Sequence, residues 1–229
     1  MSDFIGFGIG DKEVLNNGRI ERYKGKENHT DRIGMVWLYQ DENGEYKMFQ
    51  GDPDNDIQPD TPKFTKAHYH YIPGVGYVMP KGEYTIKKFG APKLRLGTYI
   101  VKYRTDRTGK VLKPFEYEIM EWQFGTTKFQ LLSAINDEFP LVYHDIKVTC
   151  TGEQYQKLSF TACSGEALWR QNEALRKEIL ERVQQQGDLS LVRDMSLAEI
   201  KAAVGEEAQV IGAEEDEDQD FDDLLADLG

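Results

Sequence analysis

The run Leu96-Gly97-Thr98-Tyr99-Ile100-Val101-Lys102-Tyr103-Arg104-Thr105 leads into Asp106-Arg107-Thr108-Gly109-Lys110 and on through Val111 to Trp122. Two runs of β-branched and aromatic residues around an Asp- and Gly-bearing turn read as a β-hairpin. A period of two sorts the first run. Tyr99, Val101 and Tyr103 share one face, and Thr98, Ile100, Lys102 and Arg104 share the other. One face is expected to pack and the other to present cations.

The same pattern repeats outward. Strands are expected from Ile33, with Met35, Trp37 and Tyr39 alternating against Gly34, Val36, Leu38 and Gln40. Asp41-Glu42-Asn43-Gly44-Glu45 turns that strand back into Tyr46–Gln50. Residues 51–62 are an Asp/Pro-rich loop. A second β region runs from Lys66 to Met79, broken by Pro73-Gly74-Val75-Gly76. After Trp122 the period changes. Thr126–Phe139 reads as a helix with Phe129, Leu132 and Ile135–Asn136 on one face. Strands Tyr143–Thr151 and Tyr155–Cys163 follow, around Thr151-Gly152-Glu153. Ser164 is expected to cap a helix through about Gln185, with Leu168, Leu175, Ile179 and Val183 as its apolar stripe. Ser196-Leu197-Ala198-Glu199 is a capping box for a short helix ending near Gly205.

These elements predict a mainly β, α+β fold. It is an OB-like, partly open antiparallel β-barrel with an inserted helix, C-terminal helices and a disordered acidic tail; a β-sandwich is the rival. The expected divisions are a polar N-terminal arm over 1–30, a core over 31–165, a helical extension over 166–205 and the tail over 206–229.

Charge is distributed unevenly. Glu206 to Gly229 hold eleven Asp/Glu and no Lys or Arg, whereas residues 1–170 carry 23 of each sign. The net charge of −12 is thus nearly all tail. A block of like charge with few large apolar groups cannot bury enough surface to fold and reads as an interaction arm. Its apolar tip, Asp220-Phe221-Asp222-Asp223-Leu224-Leu225-Ala226-Asp227-Leu228, is more than solubility requires.

Within the body, residues 81–113 carry ten cations against Glu83 and Asp106. Upstream, Lys66-Ala67-His68-Tyr69-His70-Tyr71 precedes Tyr77. Cations that track phosphates, interleaved with rings that stack bases, are the requirement of a sequence-tolerant single-strand binder. The expected DNA contacts are Trp37, Tyr39, Lys66, His68, His70, Tyr71, Tyr77, Lys81, Lys87, Lys88, Lys93, Arg95, Lys102, Arg104, Arg107 and Lys110. The alternative is a hairpin with a solvated charged face and core tyrosines. A flexible polyanion tethered to such a site would compete with DNA at high effective concentration.

Other constellations are weaker. His68-x-His70 lacks a local third ligand for a metal, and Gly6-x-Gly8-x-Gly10 precedes no strand–helix unit. Asp52 and Asp54 lie in a Pro/Asp loop without a basic partner. No nucleophile–base arrangement is legible, so no enzyme and no cofactor is expected. No apolar run long enough to span a membrane is present. Cys150 and Cys163 read as two buried thiols, with a disulfide as the alternative.

The second half of the body resembles the single-stranded DNA-binding proteins of tailed phages. The carriers are Phe115-Glu116-Tyr117-Glu118-Ile119-Met120-Glu121-Trp122-Gln123-Phe124-Gly125 running into a helix with Lys128 and Leu131-Leu132, then His144 to Glu153 and Tyr155 to Thr161. The acidic tail with its apolar tip is similar to those with which phage and bacterial single-strand binders recruit replication proteins. The resemblance covers about residues 66–165 plus the tail. It implies an OB-fold core, sequence-independent binding during phage replication or recombination, and the cytoplasm of an infected bacterium. It also implies replication, recombination or transcription partners for Asp220, Phe221, Asp222, Asp223, Leu224, Leu225 and Leu228. Some members hold a structural zinc; no Cys-x-x-Cys exists here, so that feature does not carry over. Close alternatives are a transcription cofactor recruiting a phage RNA polymerase and, from another class, a protein-interaction module or virion component.

Overall fold

The computed structural model describes residues 20–48, 65–151, 157–187 and 189–205; the side chain of Tyr39 lies outside that description. The protein is a mixed α+β chain whose main sheet has eight strands and is not closed, with four helices among the described residues. It divides into two compact units. Among the described residues, the larger holds 20–48, 65, 96–151, 157–187 and 189, and the smaller holds 66–95 and 190–205. This division cuts across the expected core and helical extension, because the segment 66–95 associates with the chain after Leu189 rather than with its sequence neighbours.

In the larger unit the strands are β1 (Glu21–Arg22), β2 (His29–Val36), β3 (Leu38–Gln40), β4 (Tyr46–Met48), β7 (Lys93–Tyr103, whose first three residues belong to the smaller unit), β8 (Tyr117–Gly125), β9 (Ile146–Thr151) and β10 (Lys157–Ala162). Their order is β1-β8-β7-β2-β9-β10, and β3 pairs with β4 as the Asn43-Gly44 hairpin predicts. Helix α2 (Thr126–Glu138) precedes β9, and α3 (Glu173–Gln186) follows β10. The core is built from Ile33 and Met35 of β2, Ile100 and Val101 of β7, Trp122 of β8, Ile146 and Val148 of β9, and Leu175, Ile179 and Val183 of α3, all nearly inaccessible.

Residues 20–23 depart from the irregular arm expected over 1–30. Ile20 and Tyr23 are buried, and β1 pairs parallel with β8. Strand β2 begins at His29, four residues before Ile33, because His29 to Arg32 find partners on β9. Strand β7 lies between β8 and β2 in the sheet, and its residues from Leu96 to Val101 are buried on both faces. After Val101 only Lys102, partly, and Arg104, just past the strand's end, reach solvent, which corrects the expectation of one long cationic face. Its hairpin partner is shorter than Val111–Trp122. The turn closes with Asp106 N donating to Lys110 O at 2.9 Å, but residues 112–116, which include Pro114, are not strand.

The expected cap at Ser164 is also corrected. Helix α3 starts at Glu173 with Asn172 as N-cap, its side chain accepting from Leu175 N at 3.0 Å. Residues 164–171 are not helical because their backbone donors are used elsewhere. Leu168 N donates to Asp145 Oδ2, Trp169 N to the Tyr103 hydroxyl, and Ala167 N to Tyr143 O. Asp145 is fully buried and pairs with Arg32 at 2.8 Å. Trp169 lies so close to Gly34 that no side chain fits there. In β9 and β10, Cys150 faces Leu158 while Cys163 lies beyond the Ala162–Ile146 pair, at the opposite end of the ladder, and both thiols are free.

The smaller unit holds β5 (Thr65–Ile72, whose first residue belongs to the larger unit), β6 (Gly76–Val78), α1 (Gly82–Phe89) and α4 (Leu197–Ala203). The β5–β6 turn falls at Pro73-Gly74, as predicted, and α4 carries the full capping box of Ser196 and Glu199. Ile72, Val78 and Ile200 form its core, with Val75, Tyr84, Phe89, Met195 and Val204 packed around them. Helix α1 is absent from the sequence reading, which took 81–90 for a charged stretch. Its signals are the Glu83–Lys87 pair one turn apart and the Tyr84/Phe89 contacts with the core.

Candidate nucleic-acid interface

Two features concentrate rings and cations, one in each unit. In the smaller unit, alternation along β5 puts Tyr69 and Tyr71 on one face and His68, His70 and Ile72 on the other. Tyr77 of β6 stands directly opposite Tyr71. Its ring meets Tyr71 at 5.5 Å and Tyr69 at 4.9 Å between centroids. The Arg95 guanidinium lies 3.4 Å from the Tyr77 centroid, a close cation–π stack. Tyr71 is 58% exposed. Three tyrosines braced by one arginine thus form an outward aromatic face.

Several expected contact residues sit elsewhere. Trp37 is 1% exposed and packs in the core, out of reach of a base. His70 is buried against Phe89, whereas His68, on the same face of β5, stays exposed. Among the described residues no group of three His, Cys, Asp or Glu converges to hold a metal. Burial lowers the His70 pKa. Arg95 is also buried, and its planar face serves the Tyr77 ring rather than open solvent.

Ion pairs engage at least four of the ten cations of the basic stretch. Lys81 meets Asp194 at 2.8 Å, Lys87 meets Glu83 at 2.5 Å, Lys102 meets Glu118 at 3.5 Å and Arg104 meets Glu116 at 2.6 Å. Lys66, Lys88, Lys93, Arg107 and Lys110 are exposed. The local charge of the sequence therefore overstates the free positive charge of the surface, since Glu116, Glu118 and Asp194 come from outside the stretch.

In the larger unit, Lys102 and Arg104 line a cleft of about 300 Å³. Lys26, His29, Asp31, Tyr103, Thr105, Glu116, Tyr117 and Glu118 complete its walls. Asp31 is buried, accepts from the Tyr23 hydroxyl at 2.9 Å and faces His29 Nε2 at 3.4 Å. Tyr117 hydrogen-bonds Glu178; burial and that carboxylate push its phenol up to about 12. Phe115, 41% exposed, packs against Tyr103 and Tyr117. Lys26 and Phe115 escape sequence reasoning because they are distant in sequence or sit in a segment read as strand. The tail residues Asp220 to Leu228 lie outside the described residues.

No protein-family model matches the chain, and no curated protein matches it. The site's chemistry alone therefore carries the functional reading. Among the described residues, no helix is long and apolar enough to cross a membrane.

Proposed function

We propose that the protein binds single-stranded DNA largely independently of sequence during phage DNA replication or recombination, in the cytoplasm of the infected bacterium. The observation that carries this reading is the aromatic face of Tyr69, Tyr71 and Tyr77 with Arg95 stacked beneath it. Every base has a π-face, so a stacking platform accepts any sequence, and each base–ring stack contributes about 1–3 kcal/mol. Lys66 and Lys93, exposed on neighbouring strands, supply charge for the backbone. Support for an OB-type larger unit comes from its mostly antiparallel strands and from α2 inserted before the last strand pair. The mechanism is non-covalent, and no cofactor takes part. The acidic tail competes for the cations in the free protein and, once displaced, recruits replication, recombination or transcription proteins through Phe221, Leu224, Leu225 and Leu228.

A second reading, a protein-interaction module, is favoured by the ion pairing of Lys81, Lys87, Lys102 and Arg104, which leaves less charge for phosphate. Tyrosine and arginine are also common interface anchors. Chromatography on single-stranded DNA cellulose separates the two. A DNA binder is retained at low salt and elutes as salt rises; an interaction module flows through.

A further inference from the structure

We propose that the solvent-facing side of β2, β9 and β10 carries phosphates of a single strand, on Arg107, Lys147 and Lys157 and on the hydroxyls of Ser159 and Thr161. This inference rests on the single-strand reading above and adds a site to it. The register fixes which side chains share the face. On β9 and β10, Thr151 stands opposite Lys157, Thr149 opposite Ser159 and Lys147 opposite Thr161. On β2, Thr30 stands opposite Thr149 and Arg32 opposite Lys147. Directly opposed residues project to one side of a sheet, and the Thr30 and Thr149 hydroxyls accordingly meet at 3.0 Å. The other side carries Ile33, Ile146, Val148 and Cys150, all buried. All eight positions of the outer side are thus Arg, Lys, Ser or Thr, side chains that take phosphate oxygens, and none is a carboxylate.

Arg32 is engaged by the buried Asp145 at 2.8 Å. Arg107, Lys147 and Lys157 make no ion pair among the described residues, and Arg107 and Lys157 are exposed. Lys147 is half-buried, and its stem lies against the turn after β7: a Cβ on Gly109 would come within 3.4 Å of Lys147 Cδ and Cε and 2.7 Å of Thr30 Cγ2. That contact orders the stem, so less side-chain freedom is lost when the ammonium meets a phosphate. The same turn brings the backbone of Arg107 to the edge of the face, where its carbonyl accepts from Thr30 N at 3.2 Å. Asp106, the turn's carboxylate, is engaged by Thr108 and by the Lys110 N–H. Ser159 and Thr161 are exposed, and their hydroxyls have no hydrogen-bond partner among the described residues. Lys147 and Lys157 stand four residues apart along the ladder, about 13 Å, so they meet different phosphates. No ring occupies the eight positions, so the face holds backbone rather than bases and accepts any sequence.

The test is fluorescence anisotropy over a salt series on the full-length protein, with oligo-dT and an abasic strand of equal length as probes. Lys147→Gln combined with Lys157→Gln is expected to weaken binding of both probes roughly ten- to thirtyfold at about 0.1 M salt. It should also lower the slope of log K against log salt by about 1.4, the loss of two phosphate contacts. Lys24→Gln combined with Lys177→Gln removes the same charge from exposed positions elsewhere and is expected to bind nearly as wild type. Ser159→Glu sets a carboxylate on the face at an exposed position, so it is expected to weaken both probes with an unchanged melting temperature. Should the Lys147 and Lys157 pair melt early, Ser159→Glu and Lys157→Gln alone decide. If wild type binds oligo-dT and the face variants match wild type or the control pair, the face proposal is overturned while the single-strand function stands. An abasic strand that wild type fails to bind, or a loss confined to oligo-dT, overturns the assignment of phosphate to this face. A wild type that binds neither probe overturns the function and the face together.

Discussion

Single residues show where the fold tolerates least. Gly34, on β2 opposite Val101, has no room for a side chain: a Cβ there would lie 2.3 Å from Trp169 Cδ1 and 2.8 Å from Asp145 Oδ1. Neither neighbour can retreat, since Trp169 and Asp145 are fully buried and Asp145 is held by Arg32 and Tyr103. Gly34→Ala should therefore destabilise by about 1–3 kcal/mol, read from the urea midpoint, as overpacking of a tight core does. His70 makes a second case. Its Nε2 is buried without a hydrogen-bond partner among the described residues, and burial lowers its pKa. Below the unfolded value of about 6.5, the unfolded chain takes up a proton that the folded chain resists. Its contribution to stability is thus complete above that pH and is lost as pH falls through it. His70→Phe should flatten the fall in melting temperature between about pH 7 and pH 5 relative to wild type; parallel curves would show that His70 does not titrate in that window.

At the scale of elements, the smaller unit depends on one cap. The Ser196 side chain accepts from Glu199 N while Glu199 accepts from Ser196 N, and this starts the helix that delivers Ile200 to the core. Ser196→Ala should cost about 1 kcal/mol, seen as faster hydrogen exchange over residues 197–203. Elements of this kind are legible in the sequence because their chemistry is local. The capping box spans four residues, and the turn at Asp106 is closed by that residue's own carboxylate, which accepts from Thr108 and Lys110 and is thereby held below the ordinary carboxylate range. The start of α3 is not legible, because Ser164 looks like a cap until Asp145, 23 residues before Leu168, claims the backbone that a helix would need. The exposed tyrosine face is half legible. Alternation puts Tyr69 and Tyr71 on one side, but no local pattern tells that Arg95 folds over Tyr77 or that Trp37 is core. The basic stretch misleads for the same reason, as its counter-charges lie in other segments.

For the whole molecule the central quantity is electrostatic balance. Removing residues 206–229 takes eleven acids away and shifts the net charge from −12 to −1. If the tail competes for the cations, the truncated protein should bind single-stranded DNA more tightly, most of all at low salt, where screening is weakest. A salt series in which both forms bind alike would reduce the tail to a docking peptide. Stacking on the exposed tyrosine face, as proposed above, would select unpaired bases over paired ones. Its most direct test is a pair of anisotropy titrations at one salt concentration, with a single strand and its matched duplex, on wild type and on Tyr71→Ala. Wild type is expected to bind the single strand more tightly than the duplex. The variant is expected to lose about 1–3 kcal/mol on the single strand alone, with the melting temperature unchanged because Tyr71 is 58% exposed. Equal affinity for strand and duplex, or a Tyr71→Ala variant that binds the single strand as wild type does, would contradict the stacking proposal.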